Sequence, residues 1–293
     1  MIEYRKDITA EDELMLWYNK GETLLKEIKE KNLPENMLAF WYIGQMGMVI
    51  KWKRKIIYLD PVLSDLVDQD GNSRRHYEIP YEPTNTQVDY IFCTHDHRDH
   101  MNQETILGML KANPKAIIVI PAPLKNILLS WGVKEEQILP LHQNESISLD
   151  KQIRVTGIET AHDTYRYDEH NHSFTLGYVF DFDGLKLFHS GDTMLTNELL
   201  ESLQSYSPIH TLMLPINGSD IIRDSKNIIG NMNAKDAVLL TSQLDAKLTI
   251  PLHYDMVYGN EENPLIFADY MERIAPNKRY HIMRLGEMFL IER

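Results

Sequence analysis

The chain has 293 residues, an ordinary apolar content and a formal charge of −13. That composition allows a sizeable core and disfavours a nucleic-acid partner, whose phosphates call for a basic surface. The single cysteine, Cys93, excludes an intramolecular disulfide and fits a reducing compartment. Residues 1–7 lack the apolar centre of a signal peptide. No apolar run is long enough to span a bilayer, so a cytoplasmic protein without membrane association is expected.

Residues 12–31 predict a helix. Leu14, Leu16, Trp17, Leu24, Leu25 and Ile28 recur near helical spacing, and Asn32-Leu33-Pro34 ends it. Strands follow at 37–42, 46–52 and 55–59, the last closed by Asp60-Pro61. Ile43-Gly44-Gln45 reads as a turn that can bring backbone close to a ligand. Residues 64–86 are polar and long for a structureless connection, so they read as a functional loop or a partly ordered insertion. A strand at 88–93 precedes a helix at 103–112, a strand at 116–120 and a short helix at 124–131. Strands at 152–158, 174–182 and 185–189 come next, the last two joined by Asp183-Gly184, which suits a hairpin turn. Helices at 196–204, 234–244 and 264–274 are interspersed with strands at 211–214, 247–251 and 287–292. Asn233 with Asp236 three residues on has the form of a cap for the helix that follows. The order is β-rich, mixed, β-rich and mixed again, which fits two similar halves packed face to face with helices outside.

Chemistry concentrates at the end of the 88–93 strand. His95, Asp96, His97, Asp99 and His100 place metal-binding side chains in a His-x-His-x-Asp-His run. Imidazole and carboxylate suit zinc, manganese or iron, and the lack of thiolates argues against a purely structural zinc site. A two-cation site needs further ligands, and three other strand ends offer them: His162, Asp192 and His253. The expected division is His95, His97 and His162 about one cation and Asp99, His100 and His253 about the other, with Asp192 bridging. Water between such cations is acidified from about 15.7 to roughly neutral, supplying a bridging hydroxide as nucleophile.

These motifs resemble those of the metallo-β-lactamase superfamily. The resemblance implies an α+β fold, a four-layer αββα sandwich, as a single domain over 1–293 with the N-terminal helix outside the first strand. Leu38 to Gly44, Thr94 to His97, Phe188 to Asp192, Met232 to Asp236 and Ile250 to Asp255 further resemble the L-ascorbate-6-phosphate lactonase branch. The chain departs from that branch around 163–171 and in its shorter C-terminus. The branch implies lactone opening in a phosphorylated sugar acid, two divalent ions (manganese or zinc), and a symmetric homo-oligomer. In that chemistry Asp99 or a metal-bound water protonates the leaving ring oxygen. The alternative is a phosphodiesterase of the same fold acting on a small diester, and a third reading is a metal-binding or sensing module.

Other residues take supporting roles in this reading. His189, three residues before Asp192, is expected to orient a ligand from behind. Arg98 within the metal run, and Arg74, Arg75 and His76 on the long loop, are candidates to contact substrate, since guanidinium groups grip phosphate bidentately. Arg166, Arg223, Lys226, Asn217, Ser219 and Asp220 are further candidates. The second His-x-His, His170 and His172, follows no apolar strand and reads as a surface or substrate-facing turn.

Overall fold

A computed structural model describes residues 17–225, 228 and 230–293. It holds two seven-stranded sheets face to face. The first sheet is built from β1 (Met37–Gly44), β2 (Gly47–Trp52), β3 (Lys55–Leu59), β4 (Tyr90–Phe92), β5 (Ile117–Pro121) and β6 (Ile138–Leu141), with β14 (Met288–Glu292) added beside β1. The second contains β7 (Ser146–Ser148), β8 (Ile153–Glu159), β9 (Leu176–Phe182), β10 (Leu185–His189), β11 (Thr211–Pro215), β12 (Leu248–Leu252) and β13 (Arg279–Tyr280). Helices α1 (Gly21–Glu30), α2 (Gln103–Ala112) and α3 (Lys125–Ser130) cover the first sheet. Helices α4 (Asn197–Gln204), α6 (Ala234–Gln243) and α7 (Pro264–Ile274) cover the second, and α5 (Ile221–Ser225) is a single short turn. This is the metallo-β-lactamase fold, an αββα sandwich.

The near-continuous apolar character of β1 follows from burial on both faces. Successive side chains point to opposite sides. Leu38, Phe40 and Tyr42 enter the core between the sheets, while Ala39, Trp41 and Ile43 pack toward the helices. Tyr178, Phe180 and Phe182 from β9 meet Phe92 and Trp52 across the sandwich. Each such side chain contributes about 1.5–3 kcal/mol by leaving water.

The first helix is shorter than the 12–31 pattern suggests. Lys20 is extended and Gly21 has φ +62, so the helix begins at Gly21; residues 12–16 lie outside the described residues. Trp17 is not helical. It bridges Leu285 through its backbone and sets its ring edge-on to Tyr77 at 5.6 Å in the inter-sheet core. Three strands, β6, β7 and β13, were not legible in the pattern because they are short edge strands. Pro140 inside β6 is tolerated because that strand lies at the sheet edge. The Asn233–Asp236 pair forms a full capping box on α6, and Asp183-Gly184 joins β9 to β10.

The topology gathers one set of strand ends on one rim. β3 and β4 run parallel, as do β10, β11 and β12. β8 is antiparallel to β9, and β9 to β10, so β8 points the same way as β10. Segments leaving the C-terminal ends of β4, β8, β10 and β12 therefore emerge together, the usual location of ligand sites in open sheets. The turn after β1 reaches the same rim, because β1 and β3 both pair antiparallel with β2.

Candidate metal centre

Four segments converge on this rim. His95, His97, Asp99 and His100 lie between β4 and α2, where Asn102 caps the helix by accepting from the Thr105 N–H. His162 follows β8, Asp192 follows β10, and His253 follows β12. The side chains form three overlapping groups: His95, His97 and His162; His95, His100 and Asp192; and Asp99, His100 and His253. Within each group the ligand atoms lie within 4.8 Å of one another. Asp192 is central, with its carboxylate oxygens 3.3 Å from His100 Nε2, 3.4 Å from His162 Nε2 and 3.1 Å from His253 Nε2. His97 Nδ1 stands 3.2 Å from His162 Nε2.

Glycine at 191 is required for this approach. It has φ +59, and a Cβ there would sit 2.5 Å from the Thr94 side chain. Three residues of the site with side chains also occupy the left-handed region: Gln45 at φ +58, Asp60 at +41 and His253 at +60. Such conformations persist where surrounding structure over-determines them, and they cluster at functional sites.

Sequence reasoning missed Asp60, which sets the orientation of two imidazoles. Asp60 lies just past β3 and is fully buried. Its carboxylate accepts from the Thr94 N–H at 2.8 Å, the Thr94 hydroxyl at 2.7 Å and His100 Nδ1 at 2.8 Å. Thr94 Oγ1 lies 3.1 Å from His95 Nδ1. Since that hydroxyl donates its proton to Asp60, it accepts from His95 Nδ1–H. Both histidines are thereby left with Nε2 bearing a lone pair toward the cluster, as outer carboxylates commonly arrange at metal sites. His162 Nδ1 is likewise occupied by the Gly230 carbonyl at 3.3 Å. The signal for Asp60 was a carboxylate at a strand end before proline, too common a feature to stand out alone.

The residues present fit a cation. His95 Nε2 is buried without a hydrogen-bond partner among the described residues, and it belongs to two of the three groups. Leaving such an atom unpaired costs about 1–3 kcal/mol, a cost that a cation removes. Electrostatics divides the cluster. Burial pulls His95 and His162 below the usual imidazole range, outweighing the opposing pull of Asp192. Burial acts the same way on His100 and His253, but Asp192 and Asp99 overcome it, and His253 is raised to about 9. Asp99 and Asp192 are held well below the carboxylate range; burial opposes this, and His100 and His253 prevail.

The remaining predicted residues separate into two sets. A cavity of about 260 Å³ opens onto His97, Asp99, His162, Asp192 and His253, and Arg74 and Arg98 line it. Arg75 does not. Its guanidinium is buried and donates to the carbonyls of Val62, Ser64 and Tyr77, each at 3.2 Å. The expectation that it contacts substrate is therefore corrected: neighbouring loop residues point to opposite sides, and Arg75 is the inward one. Asn217 is also buried behind the cavity, bonding Asn260 at 3.0 Å and Asn231 at 3.1 Å, while Asn260 itself lines the cavity. His189 donates to the Met46 carbonyl at 2.9 Å, so its contact is with the β1–β2 turn and not with a ligand side chain. His76 pairs with Glu261 at 3.2 Å, and Arg223 is held by Asp220 and the Glu261 carbonyl. Arg166 lies over Phe174, 4.0 Å from Asp96. His172 bonds Asp168 at 3.2 Å and packs on His142, away from the cluster. Lys226 lies outside the described residues.

A sequence profile of the beta-lactamase superfamily domain matches residues 55–254, which span every ligand named above. The chain belongs to the metallo-β-lactamase superfamily. Within that superfamily it is 27% identical over 252 residues to a UPF0173 metal-dependent hydrolase of Anoxybacillus flavithermus, covering 84% of this chain and 96% of that protein. Igni18, a novel metallo hydrolase from Ignicoccus hospitalis, shares the fold with TM-score 0.65 at 19% identity, over 87% of this chain and 99% of its own. So does an isothiocyanate hydrolase from Delia radicum gut bacteria, with TM-score 0.67 at 16% identity over 87% and 99%. With its His and Asp cluster at the sheet rim, the chain is a metal-dependent hydrolase of this superfamily.

Proposed function

We propose that the protein uses two divalent cations, manganese or zinc, to open the lactone of a small phosphorylated sugar acid. The observation that carries this reading is the pairing of the ligand cluster with two guanidinium groups on one cavity of about 260 Å³. Among the described residues neither Arg74 nor Arg98 is in ion-pair contact with a carboxylate, and Arg98 has only a long contact of 3.4 Å to the Val67 carbonyl. In a chain of formal charge −13, two guanidinium groups on a pocket wall suit an anionic substrate. The cavity has room for a compact molecule.

His95, His97 and His162 would hold one cation, Asp99, His100 and His253 the other, and Asp192 would bridge them. Bound there, the cations would acidify water and polarise the carbonyl under attack. The chain's own groups do the rest. Arg74 and Arg98 anchor the phosphate and so orient the ring. Asp99, partly open to the cavity, is placed to carry the proton released at attack to the departing ring oxygen. Asp60 keeps the His95 and His100 rings from turning.

The test is a panel of L-ascorbate 6-phosphate, homoserine lactones and bis-p-nitrophenyl phosphate, run with Mn²⁺ and with Zn²⁺. The reading expects turnover of the phosphorylated lactone above the others and its loss in His97→Ala. Preference for the diester would transfer the same site to phosphodiester hydrolysis, and unchanged rates in His97→Ala would refute the site.

A further inference from the structure

Gln45 stands inside the ligand cluster although it is neither an acid nor an imidazole. It occupies the turn between β1 and β2 and is 1% exposed. Its backbone is fixed on both sides: the N–H donates to Asp255 Oδ1 at 3.2 Å, and the carbonyl accepts from the His253 N–H at 2.9 Å. Asp255 is held in turn by the Tyr77 hydroxyl at 2.9 Å. The side chain therefore projects from a rigid point tied to the His253 segment. Its amide nitrogen lies 2.8 Å from Asp99 Oδ2 and 2.9 Å from His253 Nε2. Those are residues of the Asp99, His100 and His253 group.

A carboxamide exchanges its oxygen and nitrogen by a half-turn about its last bond, with little change of shape. With nitrogen inward, the NH₂ group donates to the carboxylate and the imidazole, and it occupies lone pairs that a cation would use. With oxygen inward, the same position presents a neutral, hard donor. An octahedral ion with bonds of about 2.1 Å sets adjacent ligand atoms roughly 3 Å apart, close to the separations seen here. Resting on the two-cation reading above, we infer that Gln45 is a ligand of the cation held by Asp99, His100 and His253. The amide oxygen faces that ion and biases the position toward Mn²⁺ or Mg²⁺ over Zn²⁺.

The experiment is a calorimetric and electron-spin-resonance titration of the metal-stripped full chain with Mn²⁺, repeated with Zn²⁺ under chelator competition. Wild type is expected to take up two Mn²⁺ per chain. Gln45→Met keeps the shape and removes the oxygen; one Mn²⁺ dissociation constant should rise about tenfold or more, the other should hold, and zinc affinity should fall less. Gln45→Glu keeps the oxygen and should bind Mn²⁺ at least as tightly as wild type, which preserves the test if the Met variant folds poorly. Two ions with unchanged constants in a folded Gln45→Met, or weakened Mn²⁺ binding in a folded Gln45→Glu, would overturn the ligand role alone. A single ion per wild-type chain would end the two-cation reading, and this assignment with it.

Discussion

The His95, His97 and His162 end of the cluster and the Asp99, His100 and His253 end are built on opposite electrostatic plans. At the first, burial keeps His95 and His162 neutral, with lone pairs available. At the second, burial pulls in the same direction, yet Asp192 and Asp99 override it and raise His100 and His253, the latter to about 9. The contrast follows from where the carboxylates stand: His100 and His253 each face both Asp99 and Asp192, whereas His162 faces Asp192 without Asp99. Asp60 is common to both ends, since it bonds His100 directly and His95 through Thr94.

That contrast can be broken most sharply at its neutral end. His97→Ala should lower turnover by at least about a hundredfold, the upper end of what loss of an outer partner costs. Metal content should fall from two ions to one, measured by elemental analysis; retention of both would show that the ends are not separate. Asp60→Ala should weaken metal binding at both ends by about 10–100-fold and lower stability by about 1–3 kcal/mol through the orphaned Thr94 N–H. Metal titration alongside urea unfolding reads the two effects. A change confined to one end would show that Asp60 does not link them.

Smaller effects are expected on the loop that walls the cavity. Arg75→Ala should destabilise the fold by about 2–4 kcal/mol, because three carbonyls lose a buried donor. Arg74→Ala and Arg98→Ala should leave the melting temperature unchanged and raise KM for a phosphorylated lactone about tenfold, the loss of a charged contact of about 1.4 kcal/mol. A neutral lactone should be unaffected. Equal effects on both substrates would mean that these arginines shape the cavity without gripping an anion.

Much of the sandwich was legible because its strands carry unbroken apolar runs and one helix, α6, carries the Asn233–Asp236 capping box. The His95 to His100 run was legible because its ligand types lie close together in sequence. His162, Asp192 and His253 were found by asking which other strands end in a ligand type, and parallel strand directions bring those ends onto one rim. Asp60 and Gln45 gave no comparable signal. Each is a lone polar residue at a turn, and its importance arises from positive φ and from partners far away in sequence. Arg74 and Arg75 could not be told apart, because loop phase has no periodicity to read. The N-terminal helix was overextended because Trp17 matched its apolar spacing while belonging to the inter-sheet core.

The most direct test is diffraction from crystals grown with Mn²⁺, with anomalous difference maps calculated at the manganese edge. The account predicts two peaks about 3.5–4 Å apart, one against His95, His97 and His162 and the other against Asp99, His100 and His253, with Asp192 touching both. Maps without a peak in this cluster, or with a single peak that leaves either group uncoordinated, would contradict it.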